Sequence, residues 1–311
     1  MNFDGVTFSG GVTVVYIPPP TYKAIFGYGY GVAVTSITNL VSNTGVVATD
    51  TTGVGTARAS LAAAGYGTDK AIFGFGYNNV GSRVSITNLV SNTGVVATDT
   101  AGVGTNKNDL AAATYGTDKA IFGYGIDNSD NTSITNLVSN TGVMAANTTG
   151  VGTARRQLAA TGYGTDKAIF GYGTTGPGGY QSVTNKVSNT GVVSTDTTGV
   201  GTARVSPAAA GYGTDKAIFG YGVSFSSGYE SITNLVSNTG VVATNTTGVG
   251  TARAYLAAAI YGTDTAIFGY GNNGSTLSMT NKVSNTGVVA IDTTGVGTTR
   301  DNLAAAAYGY G

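Results

Sequence analysis

Residues 58–75 read RASLAAAGYGTDKAIFGF, and the fold follows from the way the chain keeps repeating them. The AIFG near their end stands six times, beginning at Ala24, Ala71, Ala120, Ala168, Ala217 and Ala266, at spacings of 47 to 49 residues. SNTGV follows each copy, from Ser42, Ser91, Ser139, Ser188, Ser237 and Ser284. Self-similarity at such a period signals a propeller, a solenoid or an array, because a single unit cannot bury its apolar face alone.

Composition narrows the choice to strands. Fifty glycines and nineteen tyrosines, with only five prolines and abundant Thr, Val and Ile, suit many short strands joined by tight turns and do not suit helices. Fifteen basic and fifteen acidic residues leave no net charge, which removes the electrostatic footprint of a nucleic-acid binder. No cationic amphipathic stretch and no apolar run of about 18 residues argues for membrane insertion. Without cysteine there are neither disulfides nor thiolate metal sites. Residues 1–11 lack the cationic start and apolar core of a signal peptide, so synthesis in the cytoplasm is expected, with something other than a signal peptide carrying the protein outside if it works there.

One unit reads as four short strands. The innermost covers residues 58–64, the second 70–75, the third 85–90 and the fourth 95–98, and 100–105 carry the chain onward. The second strand is apolar on both faces, as happens where sheets stack without water between them. Alanine runs suit an inner strand, where converging sheets leave least room. Four strands per unit of this length is the arithmetic of a propeller blade. The first unit begins at its second strand, residues 23–26, whereas the chain finishes on an inner strand, residues 300–307. Pairing these two completes a sixth blade and removes two open edges. The expected fold is therefore all-β, a closed six-bladed β-propeller over residues 23–311 with four antiparallel strands per blade. A leader or connector, residues 1–22, precedes it; there 12–17 read as a strand and Pro18-Pro19-Pro20 as an extended connector.

The order R-x-x-L-A-A-A, K-A-I-F-G-Y-G, T-G-V-G-T-A-R resembles the kelch repeat across residues 23–311. The chain departs from that pattern in having no tryptophan and in carrying Gly-Tyr-Gly where kelch has a double glycine. More specifically, TNLVSNTGVVATDTTGVGTAR, residues 38–58, and TDKAIFGYG, residues 117–125, resemble kelch-like repeats of virion and tail-associated proteins of cyanophages and other marine phages. The leader GVTFSGGVTVVYIPPP, residues 5–20, resembles the segments that begin such proteins. The resemblance implies a bacteriophage virion or tail protein for host recognition, contacting a host-surface saccharide or protein, with residues 1–22 available to other virion proteins. A structural or decorative virion component without ligand binding, or an artificially amplified repeat, fits the same repeats.

Where the six units disagree, function has room. The loop between the second and third strands holds 7, 9, 8, 9, 9 and 7 residues, and these lengths account for every change in repeat length. The second variable place is the pair after the basic residue that opens each inner strand: Ala59-Ser60, Asn108-Asp109, Arg156-Gln157, Val205-Ser206, Ala254-Tyr255 and Asp301-Asn302. In an antiparallel meander both places lie at the same end of every blade. A constant frame with diversity on one rim is what a binding surface looks like, although loops also accept insertions by drift. The aromatic candidates for ligand contact are Tyr77, Tyr180, Phe225, Tyr229 and Tyr255, which offer flat faces with polar handles. The polar candidates are Arg83, Asp127, Asp130, Arg156, Glu230, Asn272 and Asn273, which offer donors and acceptors for hydroxyls.

A basic residue opens each inner strand: Arg58, Lys107, Arg155, Arg204, Arg253 and Arg300. The reading preferred for this ring is structural, each member satisfying an acidic or backbone acceptor nearby, in the series Asp50, Asp99, Asp196 and Asp292. Asn147 and Asn245 replace the acid in two units, so the pairing cannot be uniform. The opposite turns, Asp69-Lys70 and its copies, read as turn chemistry.

Catalysis has little to stand on. The chain has no histidine to act as a base or to bind copper, and one glutamate, Glu230, so kelch-type oxidase and sialidase chemistry are both excluded. Asp127 with Asp130 is the remaining carboxylate pair, in a polar loop that gives no reason for a raised pKa. No enzyme activity, cofactor or metal is expected.

Overall fold

A computed structural model describes residues 6–7, 13–14, 21–128 and 130–310. All regular structure among them is β, and helices are absent. In the leader, Val6–Thr7 and Thr13–Val14 pair antiparallel, Val6 opposite Val14. The strand expected over 12–17 is described only at Thr13–Val14, and the proline connector lies outside the described residues.

Each unit builds an antiparallel sheet in which the AIFG strand is central. Ala62–Tyr66 pairs with Lys70–Gly74, which pairs in turn with Thr87–Val90. The same trio recurs from Ala111–Tyr115, Ala159–Tyr163, Ala208–Tyr212 and Ala257–Tyr261. The sixth trio joins the two ends of the chain: Ala304–Tyr310 pairs with Tyr22–Gly27, which pairs with Thr38–Val41. Ala304 lies opposite Gly27 and Tyr308 opposite Lys23, as the truncated first repeat predicts. The sheets hold two to four strands, and none closes on itself.

The AIFG motif encodes the packing between sheets. Its Ala, Ile and Phe are completely buried in all six copies, for example Ala71, Ile72 and Phe73. The glycine is required because the next unit's phenylalanine fills the space of its missing side chain. A Cβ on Gly27 would meet the Phe73 ring, one on Gly74 the Phe122 ring, and one on Gly269 the Phe26 ring. Six buried apolar clusters lie between successive sheets, and the one formed by Ala24, Phe26, Ile267 and Leu303 links the last unit to the first. Each fully buried Ile or Phe contributes about 1.5–3 kcal/mol, so this packing carries the fold. The inner strands touch in the order Ala62–Tyr66, Ala111–Tyr115, Ala159–Tyr163, Ala208–Tyr212, Ala257–Tyr261, Ala304–Tyr310, and the last touches the first.

Two strands differ from the sequence reading. The inner strand expected over 58–64 is split into Arg58–Ala59 and Ala62–Tyr66 by Ser60, whose φ is 50°. Among the described residues the fourth strand forms a ladder only at Met144–Thr148; in the second unit it is reduced to isolated bridges, Val90 with Val96 and Thr87 with Thr100. The Asn88 amide donates to Ala97 O and to Asp99 between these two bridges, and Asn136 makes the equivalent bonds beside the Met144–Thr148 ladder.

Candidate functional site

The basic ring is inside the protein. All six members are fully buried, each lying over an aromatic ring of the preceding unit. The arginines stack at 4.2–4.5 Å, as Arg58 on Tyr28 and Arg300 on Tyr270, and Lys107 sits 5.0 Å above Phe75. Arg300 also donates to Tyr28 O, Thr298 O and the Asn39 side chain, at 2.9, 3.1 and 2.6 Å. Asn39 passes the contact on to Asp50, which accepts from the Thr298 amide and hydroxyl. Burial raises the Asp50 carboxyl, but the bonds from Thr298 and Asn39 and the Arg300 charge outweigh it and hold it below the usual range. The arginine and the acid themselves are 4.0 Å apart, so the asparagine and threonine, rather than a tight ion pair, connect them.

Two units lack the acid. Arg204 keeps its stack on Tyr172 and its bond to Thr202 O, but its Nε and Nη2 make no hydrogen bond among the described residues. Lys107 bonds Ile134 O and the Asn136 side chain, and burial holds its ammonium down to about 7.

At the variable end the second residues of the six pairs form a cycle. Ser60 N donates to Asn302 O, Asn302 N to Tyr255 O, Tyr255 N to Ser206 O, Ser206 N to Gln157 O, Gln157 N to Asp109 O, and Asp109 N to Ser60 O. All six have φ between 50° and 57°. Their only trace in the sequence is that none is β-branched, which the left-handed region disfavours. The cycle surrounds a small depression of about 70 Å³. Burial raises the Asp109 carboxyl there, against the Ser60 hydroxyl and the charges of Arg156 and Arg83.

The rim loops sit beside this depression, because each pairs with the strand opening of its own unit: Ala59 with Tyr77, Arg156 with Thr174, Ala254 with Asn272. Tyr180 and Phe225, from adjacent units, meet edge to face at 6.1 Å, and Phe225 is 81% exposed. The Tyr229 hydroxyl bonds Asn272 of the following unit at 3.2 Å, and the Asn272 amide bonds Asp301 at 2.8 Å. Half-buried Tyr255 borders the depression, its hydroxyl pushed up by burial. Glu230 accepts from Ser224 at 2.7 Å. Tyr180, Phe225, Tyr229, Tyr255, Asn272 and Glu230 thus gather on the fourth to sixth units.

The other candidates do not join them. Arg83 bonds the Asn108 side chain at 2.7 Å, Tyr77 is half-buried with its hydroxyl raised by burial, and Asp127 accepts from the Asp130 amide within one turn. Asn273 donates its amide to Ser275 O in its own loop. Asp301, which holds Asn272, was visible in the sequence only as one half of a variable pair. Among the described residues no three His, Cys, Asp or Glu side chains come together as a metal site would need. In comparisons with known proteins, no protein-family model and no curated protein matches this chain.

Proposed function

We propose that the chain is a closed six-bladed, kelch-like propeller whose variable rim binds a host-surface glycan or protein. On the resemblance of its repeats, it belongs to a phage virion or tail. The cyclic order of the inner strands and the cycle of six backbone hydrogen bonds support the ring architecture. The observation that carries the binding reading is the meeting of Tyr180 and Phe225 from adjacent units, with Tyr229 reaching Asn272 of the next unit and Tyr255 bordering the polar depression. A rim of exposed rings beside hydrogen-bonding side chains suits stacking on a sugar or a partner side chain. The rim sets Asp109, Asp127, Asp130, Glu230 and Asp301 against Arg83 and Arg156, so it favours neutral or cationic groups over acidic glycans.

A glycan array and host-cell adsorption of the purified protein test this. Neutral glycans or intact cells should be retained, and Tyr180→Ala with Tyr229→Ala should abolish retention without moving the melting temperature. Retention by neither array nor cells, or retention indifferent to both substitutions, rejects the rim as the site and leaves the decorative virion reading.

A further inference from the structure

The opposite end of the molecule holds a larger cavity, of about 490 Å³, within the range of about 300–1,000 Å³ typical of small-molecule sites. Strand alternation determines its wall. In Ala62–Tyr66 the first, third and fifth residues are buried between sheets, so Ala63 and Gly65 face the other way and line the cavity. The position of Ala63 is alanine in all six units, giving an even apolar wall: Ala112, Ala160, Ala209, Ala258 and Ala305.

The position of Gly65 is not even. It reads Gly65, Thr114, Gly162, Gly211, Ile260 and Ala307 around the cycle. Thr114 belongs to the third unit and Ile260 to the sixth, opposite one another in the cyclic order, with glycine or alanine at the four places between. Side chains therefore narrow the cavity along one diameter and leave it open along the other. Both large residues lean toward glycine neighbours: Thr114 Oγ1 bonds Gly65 O at 2.9 Å, and a Cβ on Gly211 would lie 3.3 Å from Ile260. Thr68, Thr117, Thr165, Thr214 and Thr263 also line the cavity, at the turns that form its mouth, and the first four are held at φ 67–68°, a conformation rare for a β-branched residue.

We propose that this slot binds a planar aromatic molecule with a hydrogen-bonding edge, of the phenol or indole class. The ring would lie between Thr114 and Ile260 against the alanine wall, its polar edge toward the threonine collar. The inference is independent of the rim, because Leu61, Leu110 and their counterparts border the rim depression and not this cavity.

The chain has no tryptophan, so indole fluorescence reports binding directly. Titration with indole should saturate, and Ala160→Leu with Ala209→Leu should weaken binding by about tenfold or more while leaving the melting temperature unchanged. Both alanines line the cavity and already carry a Cβ, whereas a Cβ on Gly162 or Gly211 would press on Thr114 O or Ile260. Tyr229→Ala should leave indole binding intact, which separates this site from the rim. Absence of saturable binding in the wild type, or undiminished binding in the double leucine variant, overturns the proposal.

Discussion

Two joints between units do the same job with different parts. Where the sixth unit meets the first, Arg300 lies on Tyr270, bonds Asn39, and reaches Asp50 through it. Where the second meets the third, lysine replaces the arginine, Phe75 the tyrosine and Asn147 the aspartate. The three replacements belong together physically. A tyrosine here donates its hydroxyl to a connecting-segment carbonyl, as Tyr270 does to Val296 O, and stacks on a flat guanidinium. A lysine offers a compact ammonium instead, with fewer donors to place. Without the arginine, an aspartate loses the cation that helps to keep it charged; Asn147 accepts from Asn136 and the Thr105 amide as the acid would, but donates to the Thr105 hydroxyl, whereas Asp50 accepts from that of Thr298. The comparison teaches that a joint can exchange cation, ring and acid together, whereas the joint at Arg204 keeps cation and ring and exchanges the acid alone.

Arg300→Ala should have the largest effect. It strips the stack on Tyr270 and orphans the buried Asn39 side-chain oxygen, a loss of about 1–3 kcal/mol, to which surface-exposed Asp50 adds little when it loses its cation. Denaturant unfolding measures it. A loss below about 1 kcal/mol would mean that the apolar clusters alone hold the joint.

The Lys107 joint should respond to pH. Folding holds this ammonium at about 7, well below the ordinary lysine value, with only the Asp127 charge acting the other way. Between these two values the unfolded chain binds a proton that the folded chain does not, so stability rises with pH from about 7 to about 10. Below 7 both states are protonated and the burial penalty is fully present. Tyr28, Tyr124, Tyr221 and Tyr270, pushed up to about 12 by burial, act in the opposite sense as pH rises beyond their ordinary value near 10. Melting temperatures of the wild type and Lys107→Met across this window should diverge by several degrees, the variant being flatter. Parallel curves would show that Lys107 stays charged throughout.

The repeat frame was legible because its grammar is local. AIFG announces a strand buried on both sides, and its glycine is explained by the neighbouring phenylalanine once the sheets are stacked. The closing strand could be read from what the first unit lacked. The fourth strand was misjudged because a β-rich stretch reads as a full strand, although outside Met144–Thr148 it pairs only through isolated bridges such as Val90 with Val96. That the fourth and fifth loops lie side by side, so that Tyr180 can meet Phe225, follows from the repeat order; the Tyr229–Asn272 contact was hidden, because composition says nothing about the direction a loop leans. The slot was missed because Gly65, Thr114 and Ile260 look like drift until strand alternation turns them toward one cavity.

The smallest effect belongs to the joint between these extremes. Arg204 keeps the guanidinium and its stack on Tyr172, yet Asn245 stands where an acid would be, and its Nε and Nη2 are unpaired among the described residues. A buried cation so placed carries its desolvation cost with few bonds to offset it; burial already holds its pKa below the ordinary value. Replacing such a group with an apolar side chain of similar length is often neutral or stabilising. Arg204→Met should therefore shift stability by no more than about 1 kcal/mol, the lost stack on Tyr172 roughly balancing the relieved desolvation. Arg300→Met, made beside it, should cost at least twice that, because Asn39 and Asp50 lose real partners. Equal losses in the two variants would mean that the acid contributes nothing to the joint, and that the stacked aromatic decides its strength in every unit.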